Sequence, residues 1–113
     1  MTETRLSLDA VERLARETLE AAGATPAPAA SVARSTRLAE RDGVRSHGLP
    51  YIPIYAEHLR CGKVDGLAEP MVARPRPAAV TVDAAHGFAH PAIDAGLPAL
   101  MAAARSQGAA AMT

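Results

Sequence analysis

Ser46 and His47 are the adjacent side chains of this sequence that are best suited to chemistry. They stand in the segment Arg45–Tyr51, between a helix that is predicted to end at Gly43 and another that is predicted to begin near Pro50. Histidine both gives and takes a proton near neutral pH, and a hydroxyl stands directly beside it here. Reacting groups often lie in loops that rigid elements hold in place. The segment is therefore the candidate catalytic site of the chain.

Three helices are predicted in the first half of the chain. They cover about residues 7–22, 26–42 and 50–60. Ser7 is placed to cap the first helix, and Gly23 can end it because glycine adopts the left-handed conformation at low cost. Thr25 is placed to cap the second, with Pro26 at the first helical position, where a missing N–H costs nothing. The short connection makes these two helices a hairpin.

The second half of the chain mixes strands and a helix. Short strands are predicted near residues 71–74 and 79–83, a helix over about 91–107, and the start of a final strand at 109–113. The apolar set of the helix consists of Ile93, Leu97, Leu100, Met101 and Ala104. Because an unpaired strand edge invites association, the partner strands of the last segment are expected on another segment or polypeptide. The resulting fold class is α+β.

The composition predicts a weak core. Of the 113 residues 49% are hydrophobic, but only 3% are aromatic and tryptophan is absent. Alanine supplies much of the apolar fraction, and it buries far less area than Leu, Ile or Phe. Since small domains are already marginal, the chain is expected to need more protein around it.

Charge and cysteine content exclude several classes of function. Twelve basic and twelve acidic residues cancel, so neither nucleic acid nor a membrane surface is expected as a partner. No apolar run approaches the roughly 18–20 residues of a membrane span, and the first residues lack the pattern of a secretory signal. Cys61 is the single cysteine, which excludes an intramolecular disulfide and favours a reducing compartment. A cytoplasmic location is the expectation.

Several stretches together resemble the type-2 malate/L-lactate dehydrogenase family. They are Ser7–Ala10, Leu38–Leu49, Pro53–Tyr55, Leu59–Gly62 and Val82–Ala92. The family includes ureidoglycolate and sulfolactate dehydrogenases, a diketogulonate reductase and cyclic imino-acid reductases. Its members are much longer, so the resemblance implies that residues 1–113 form a single N-terminal portion of a larger dehydrogenase-like domain. Residues 1–62 would be the helical part, and residues 63–113 a β-α part completed by another segment.

The resemblance implies hydride transfer with His47 as the proton donor. The family's Ser-His-Gly motif matches Ser46-His47-Gly48, and its serine belongs to a proposed relay that positions the histidine. The substrate would be a small 2-oxo or 2-hydroxy acid or a cyclic imino acid. The cofactor would be NADH or NADPH, held in a fold unlike the Rossmann fold, which agrees with the absence of a glycine-rich dinucleotide motif.

Two positions depart from the family pattern. Tyr51 stands where the family usually carries an arginine that grips a substrate carboxylate, and Arg45 stands where many members have an acidic residue. Arg45 could replace the lost positive charge from the other side. Tyr55 matches a family position near the substrate. The resemblance implies a place near the substrate for Tyr55, and we predict that Tyr51 and Arg45 bind the substrate beside it.

The family's next motif would follow Thr113, so the resemblance also implies partners. A companion polypeptide would carry the downstream part of the fold, and a homo- or hetero-oligomer is expected because the sites of relatives lie near a subunit boundary. The alternative is a non-catalytic helical assembly module, a degenerate or split family remnant. His86 and His90 show no third ligand that would make a metal site, so roles at the start of a helix are expected for them.

Overall fold

The computed structural model describes residues 3–113 of the chain. Within this range four α-helices, two short 3-10 turns and a three-stranded sheet follow one another. In chain order they are α1 (Leu8–Ala21), α2 (Pro26–Arg41), the turns Arg45–His47 and Leu49–Tyr51, α3 (Ile52–Arg60), β1 (Met71–Arg76), β2 (Ala79–Asp83), α4 (Ala89–Gln107) and β3 (Ala111–Met112). The predicted α+β class is confirmed.

The helices α1 and α2 form the expected hairpin and supply five of the nine residues of the main buried cluster. The Ser7 hydroxyl accepts a hydrogen bond of 3.1 Å from the backbone N–H of Ala10, as predicted for a cap. Thr25 occupies the cap position of α2, but its hydroxyl donates to the carbonyl of Gly66 instead. The buried cluster consists of Ala15, Leu19, Ala24, Ala29, Val32, Ala33, Ile52, Leu59 and Phe88. Its many alanines allow the helix axes to approach closely.

The strand β1 extends further than predicted. It continues through Pro75 to Arg76, although the sequence predicted its end near residue 74. The strand pairs antiparallel with β2, and the register shifts between Ala73 and Arg76. Proline has no N–H to donate, so it is tolerated at such an irregularity on an edge strand.

The final strand finds a partner within the chain. β3 pairs in parallel with β2, with Ala111 opposite Ala79 and Met112 opposite Val80. The prediction that its partner strands lie elsewhere is therefore wrong for this side of β3. The sheet order is β1-β2-β3, which leaves β3 at an edge of the described sheet.

Helix α4 begins at Ala89, two residues earlier than predicted, and packs on the sheet through small residues. Ala92, Gly96 and Ala103 are buried, and a β-carbon on Gly96 would lie 2.6 Å from a methyl group of Val82. This close approach turns the large members of the apolar set outward, namely Ile93, Leu97 and Met101, which are 49%, 38% and 50% exposed. Across residues 3–113, no helix is long and apolar enough to cross a membrane.

The described chain is elongated. It measures 54 by 30 by 19 Å and has a radius of gyration of 15.9 Å. A compact domain of this length would have a radius of about 13 Å. The helical hairpin and the sheet therefore do not close around one common core.

Candidate functional site

The loop that carries Ser46 and His47 is fixed by contacts on both sides. Gly43 ends α2 with φ +74°, a conformation that glycine adopts without a steric penalty. After the first 3-10 turn, the backbone N–H of Leu49 donates a hydrogen bond of 2.8 Å to the carboxylate of Glu40 on α2. Gly48 is buried directly against that carboxylate. The loop is thereby tied to the end of α2.

The hydroxyl of Ser46 lies 2.8 Å from Nδ1 of His47. Which of the two atoms donates depends on the tautomer of the ring. This contact fixes one edge of the imidazole and leaves Nε2 as the nitrogen that can exchange a proton with a ligand. Both residues are exposed in the described chain.

A row of rings leads from His47 into the protein. The imidazole of His47 and the phenol of Tyr51 are nearly parallel, with an interplanar angle of 12° and centroids 6.5 Å apart. Tyr51 contacts Tyr55 on α3 at 5.3 Å. Tyr55 in turn packs edge-on against Phe88 at 5.3 Å and against His90 at 6.0 Å. We call His47, Tyr51, Tyr55 and His90 the aromatic row.

Tyr55 is half-buried, and Tyr51 is 40% exposed. Burial raises the pKa of Tyr55 above 10.0, and the neighbouring Tyr51 adds to the effect. The phenol therefore stays protonated near neutral pH and can donate a hydrogen bond to a ligand. Arg45 lies exposed in the same 3-10 turn as His47. The structure thus joins His47, Tyr51 and Tyr55 in one row, while Arg45 shares only the 3-10 turn with His47.

His90 belongs to this row, and sequence reasoning assigned it only a role at the start of a helix. It lies in the first turn of α4 and packs against Tyr55 on α3. Its Nδ1 is buried and has no hydrogen-bond partner among residues 3–113. Burial lowers the pKa of His90 below 6.5, Asp94 opposes this shift, and His47 adds to it. The only signal in the sequence was its position just after the turn between β2 and α4.

The row does not form a metal centre. No group of three or more His, Cys, Asp or Glu side chains that could hold a metal ion occurs in the part of the chain that the structure describes. Acid–base chemistry by side chains is the chemistry that the arrangement supports.

Comparison with known proteins finds a family that matches this chain. The malate/L-lactate dehydrogenase family matches residues 6–113. A Delta(1)-pyrroline-2-carboxylate reductase from Ancylobacter novellus is 47% identical over 108 residues, which cover 96% of this chain and 32% of that protein. A (2R)-3-sulfolactate dehydrogenase (NADP(+)) from Chromohalobacter salexigens is 42% identical over 105 residues, covering 91% of this chain and 31% of that protein.

A solved structure shows the same fold. The delta1-piperideine-2-carboxylate reductase from Pseudomonas syringae pvar. tomato superposes with a TM-score of 0.93 at 38% identity, covering 98% of this chain and 33% of that one. The chain thus spans about a third of the length of the curated relatives that it matches. The match over nearly all of its residues shows that the chain belongs to the malate/L-lactate dehydrogenase family.

Proposed function

We propose that this chain is a portion of an NAD(P)H-dependent oxidoreductase that transfers hydride to or from a small acid. The candidate substrates are 2-oxo acids, 2-hydroxy acids and cyclic imino acids. His47 is the proton donor and Ser46 orients its ring. The observation that carries this proposal is the contact of 2.8 Å between the Ser46 hydroxyl and Nδ1 of His47, in a chain of this family.

The chemistry requires a proton donor at this place. Hydride addition to a C=O or C=N bond leaves negative charge on oxygen or a basic nitrogen, and a positioned acid neutralises either. Such an acid contributes typically about 10²–10⁴ in rate. The contact with Ser46 holds Nδ1, so Nε2 of His47 is the atom that would deliver the proton.

Among the candidate substrates, cyclic imino acids have the best support. Two of the relatives described above are named as reductases of pyrroline-2-carboxylate and piperideine-2-carboxylate. We assign Tyr51 and Tyr55 to the substrate surface because their rings follow that of His47 in the aromatic row. Arg45 is assigned the substrate carboxylate, since it is the cation in the turn that carries His47.

One residue of the aromatic row, Tyr51, could stack on a nicotinamide ring. Tyr51 is 40% exposed, and an aromatic ring of this kind can stack on a planar ring. NADH or NADPH, when bound, supplies the hydride. The remaining contacts to the cofactor would come from protein outside residues 1–113.

Further protein must complete this site. The chain covers about a third of its relatives, its shape is elongated, and large apolar residues of α4 are exposed. We propose that the downstream part of the fold, on a companion polypeptide or on a longer form of this one, covers α4 and His47 within a homo- or hetero-oligomer. A cytoplasmic location stays a prediction and agrees with Cys61 as a free, exposed thiol.

The test is an activity assay of the completed protein. The chain is purified together with its downstream part, and the absorbance of the reduced nicotinamide is followed with Δ1-pyrroline-2-carboxylate, Δ1-piperideine-2-carboxylate, pyruvate and oxaloacetate. We expect turnover of the cyclic imino acids and a loss of about 10²–10⁴ in kcat for His47→Gln. His86→Gln, at an exposed histidine outside the row, is the control. Absent turnover, or equal activity of both variants, contradicts the proposal.

The alternative is a non-catalytic helical assembly module. The exposure of both Ser46 and His47 on the described chain favours it. It predicts that the completed protein gains no resistance to heat or protease from either nicotinamide cofactor. Protection of the completed protein from heat or protease by NADH or NADPH would support the oxidoreductase and contradict the assembly module.

A further inference from the structure

A groove of about 250 Å³ lies beside the aromatic row, between α2 and the first turns of α4. Polar and charged side chains from both helices line it, and His90 is shared by the groove and the row. They are Ser31, Arg34, Ser35, His90 and Asp94, with Leu38 and Ile93 on the apolar side. The volume suits a ligand the size of a small amino acid and is too small for a dinucleotide.

A pair of opposite charges stands in this groove. Nη2 of Arg34 donates to Oδ2 of Asp94 at 2.6 Å, and the hydroxyl of Ser31 donates to the same oxygen at 2.6 Å. Within the described chain these bonds use one nitrogen of the guanidinium and one oxygen of the carboxylate. Further donors on Arg34 and the second oxygen on Asp94 are left for a ligand.

His90 borders the groove beside this charge pair. Its buried Nδ1 has no partner in residues 3–113, and a buried polar atom without a partner is rare in folded proteins. Burial holds the pKa of His90 below 6.5, so the ring is neutral at physiological pH. Because Nδ1 is shielded from solvent, it lies out of reach of a ligand in the open groove, and His90 contributes an uncharged wall.

We propose that this groove binds a small zwitterionic amino or imino acid. Arg34 binds the carboxylate, Asp94 accepts hydrogen bonds from the ligand's nitrogen, and the ring of His90 forms part of the wall. A simple anion is attracted by Arg34 and repelled by Asp94, whereas a zwitterion meets an opposite charge at each end. The relation of this ligand to catalysis rests on the proposed function, because reducing a cyclic imino acid yields a cyclic amino acid of this class.

The position of the groove favours a ligand of the neighbouring site. Since His90 packs against Tyr55 at 6.0 Å, a ligand bound there lies one ring away from the substrate surface assigned above.

Binding to the chain as it exists tests the proposal without requiring turnover. L-proline and L-pipecolate are titrated into the chain, with L-lactate as the anionic comparison, and amide shifts are followed by NMR. We expect shifts at residues 31–38 and 90–94 with both amino acids, and binding of lactate weaker by about tenfold or more. Shifts centred on residues 45–51, or equal binding of lactate, would overturn the assignment.

Variants separate recognition from stability. Arg34→Gln and Asp94→Asn each remove one charge and are expected to weaken L-proline binding by about tenfold or more. Arg16→Gln is the matched control, because Arg16 also forms an ion pair between partly exposed side chains, on α1 and outside the groove. Thermal unfolding confirms that each variant is folded. Unchanged binding of L-proline to folded Arg34→Gln would refute the proposed binding site in the groove. Lack of turnover in the completed protein would refute only the proposed function.

Discussion

The carboxylate of Glu40 accepts a hydrogen bond of 2.8 Å from the backbone N–H of Leu49. This bond crosses the buried Gly48 and ties the loop of Ser46 and His47 to the end of α2. Gly48 has φ −95° and ψ −152°, which an alanine also adopts. The glycine is therefore needed for space, since the Glu40 side chain lies where a β-carbon would stand.

Gly48→Ala tests this anchor. The added methyl group displaces Glu40 and breaks its bond to Leu49, so we expect the free energy of unfolding to fall by about 1.5–3 kcal/mol, the range for a hydrogen bond to a charged group. Urea unfolding measures the change. Glu40→Gln keeps an acceptor and serves as the milder comparison. Equal stability of Gly48→Ala and the parent chain would show that the anchor does not matter.

Ser46→Ala tests the orienting role of the serine. The loss of one hydrogen bond of about 0.5–1.5 kcal/mol corresponds to a decrease of about 2- to 13-fold in kcat/KM of the completed protein. Steady-state kinetics with a cyclic imino acid measure it. Ser106→Ala, an exposed serine near the end of α4, is the control and is expected to leave kcat/KM unchanged.

The burial of His90 is expected to make the free energy of unfolding depend on pH. Burial lowers the pKa of its folded form below 6.5, so the unfolded chain takes up a proton first as the pH falls. The free energy of unfolding therefore decreases as the pH falls below about 6.5, and the decrease stops once the pH passes the folded pKa. Above 6.5 both states are neutral at this residue and the effect is absent.

Urea unfolding at several pH values between 5 and 7.5 checks this dependence, and an NMR titration of the imidazole gives the direction of the shift. His90→Gln removes the titrating group and is expected to flatten the curve. The carboxyl pKa values of Asp9 and Asp42 are lowered from 3.8 by hydrogen bonds to Arg37 and Arg41. These groups act only near and below that pH. A slope that persists in His90→Gln would contradict the assignment.

Ala85 adopts φ +52° in the turn between β2 and α4, and the next residue, His86, also has a positive φ. A side chain in this region costs roughly 1–2 kcal/mol. Ala85→Gly removes that cost, so we expect the free energy of unfolding to rise by up to about 1 kcal/mol after the greater flexibility of the unfolded chain is subtracted. Ala84→Gly, in the same turn without a positive φ, is expected to destabilise by about 0.5–1 kcal/mol. The pair is compared by thermal unfolding.

Met101→Gln tests the exposed face of α4. Because Met101 is 50% exposed, we expect the stability of the chain alone to change by less than about 0.5 kcal/mol. Association with the downstream part of the fold is expected to weaken, since the same face would then bury a polar amide. Analytical ultracentrifugation of the mixture measures this. A large loss of stability in the chain alone would show that the face packs within the chain.

Much of the fold could be predicted because its signals are local. The cap at Ser7 spans three residues and was read from residue types alone. Thr25 shows where this approach fails, because its hydroxyl found the carbonyl of Gly66 rather than its own helix. The periodicity of α4 identified an apolar stripe but not its orientation, which the close packing of Gly96 on Val82 decided.

The sequence by itself determined the helices, the cap at Ser7, the glycine stops, the adjacency of Ser46 and His47, and the family. Each of these depends on residues that are near one another along the chain or on a pattern of residue types. Only the tertiary structure brought His90 against Tyr55, Arg34 onto Asp94, and β3 beside β2. These neighbours lie far apart in sequence, and their contacts follow from how closely the elements pack.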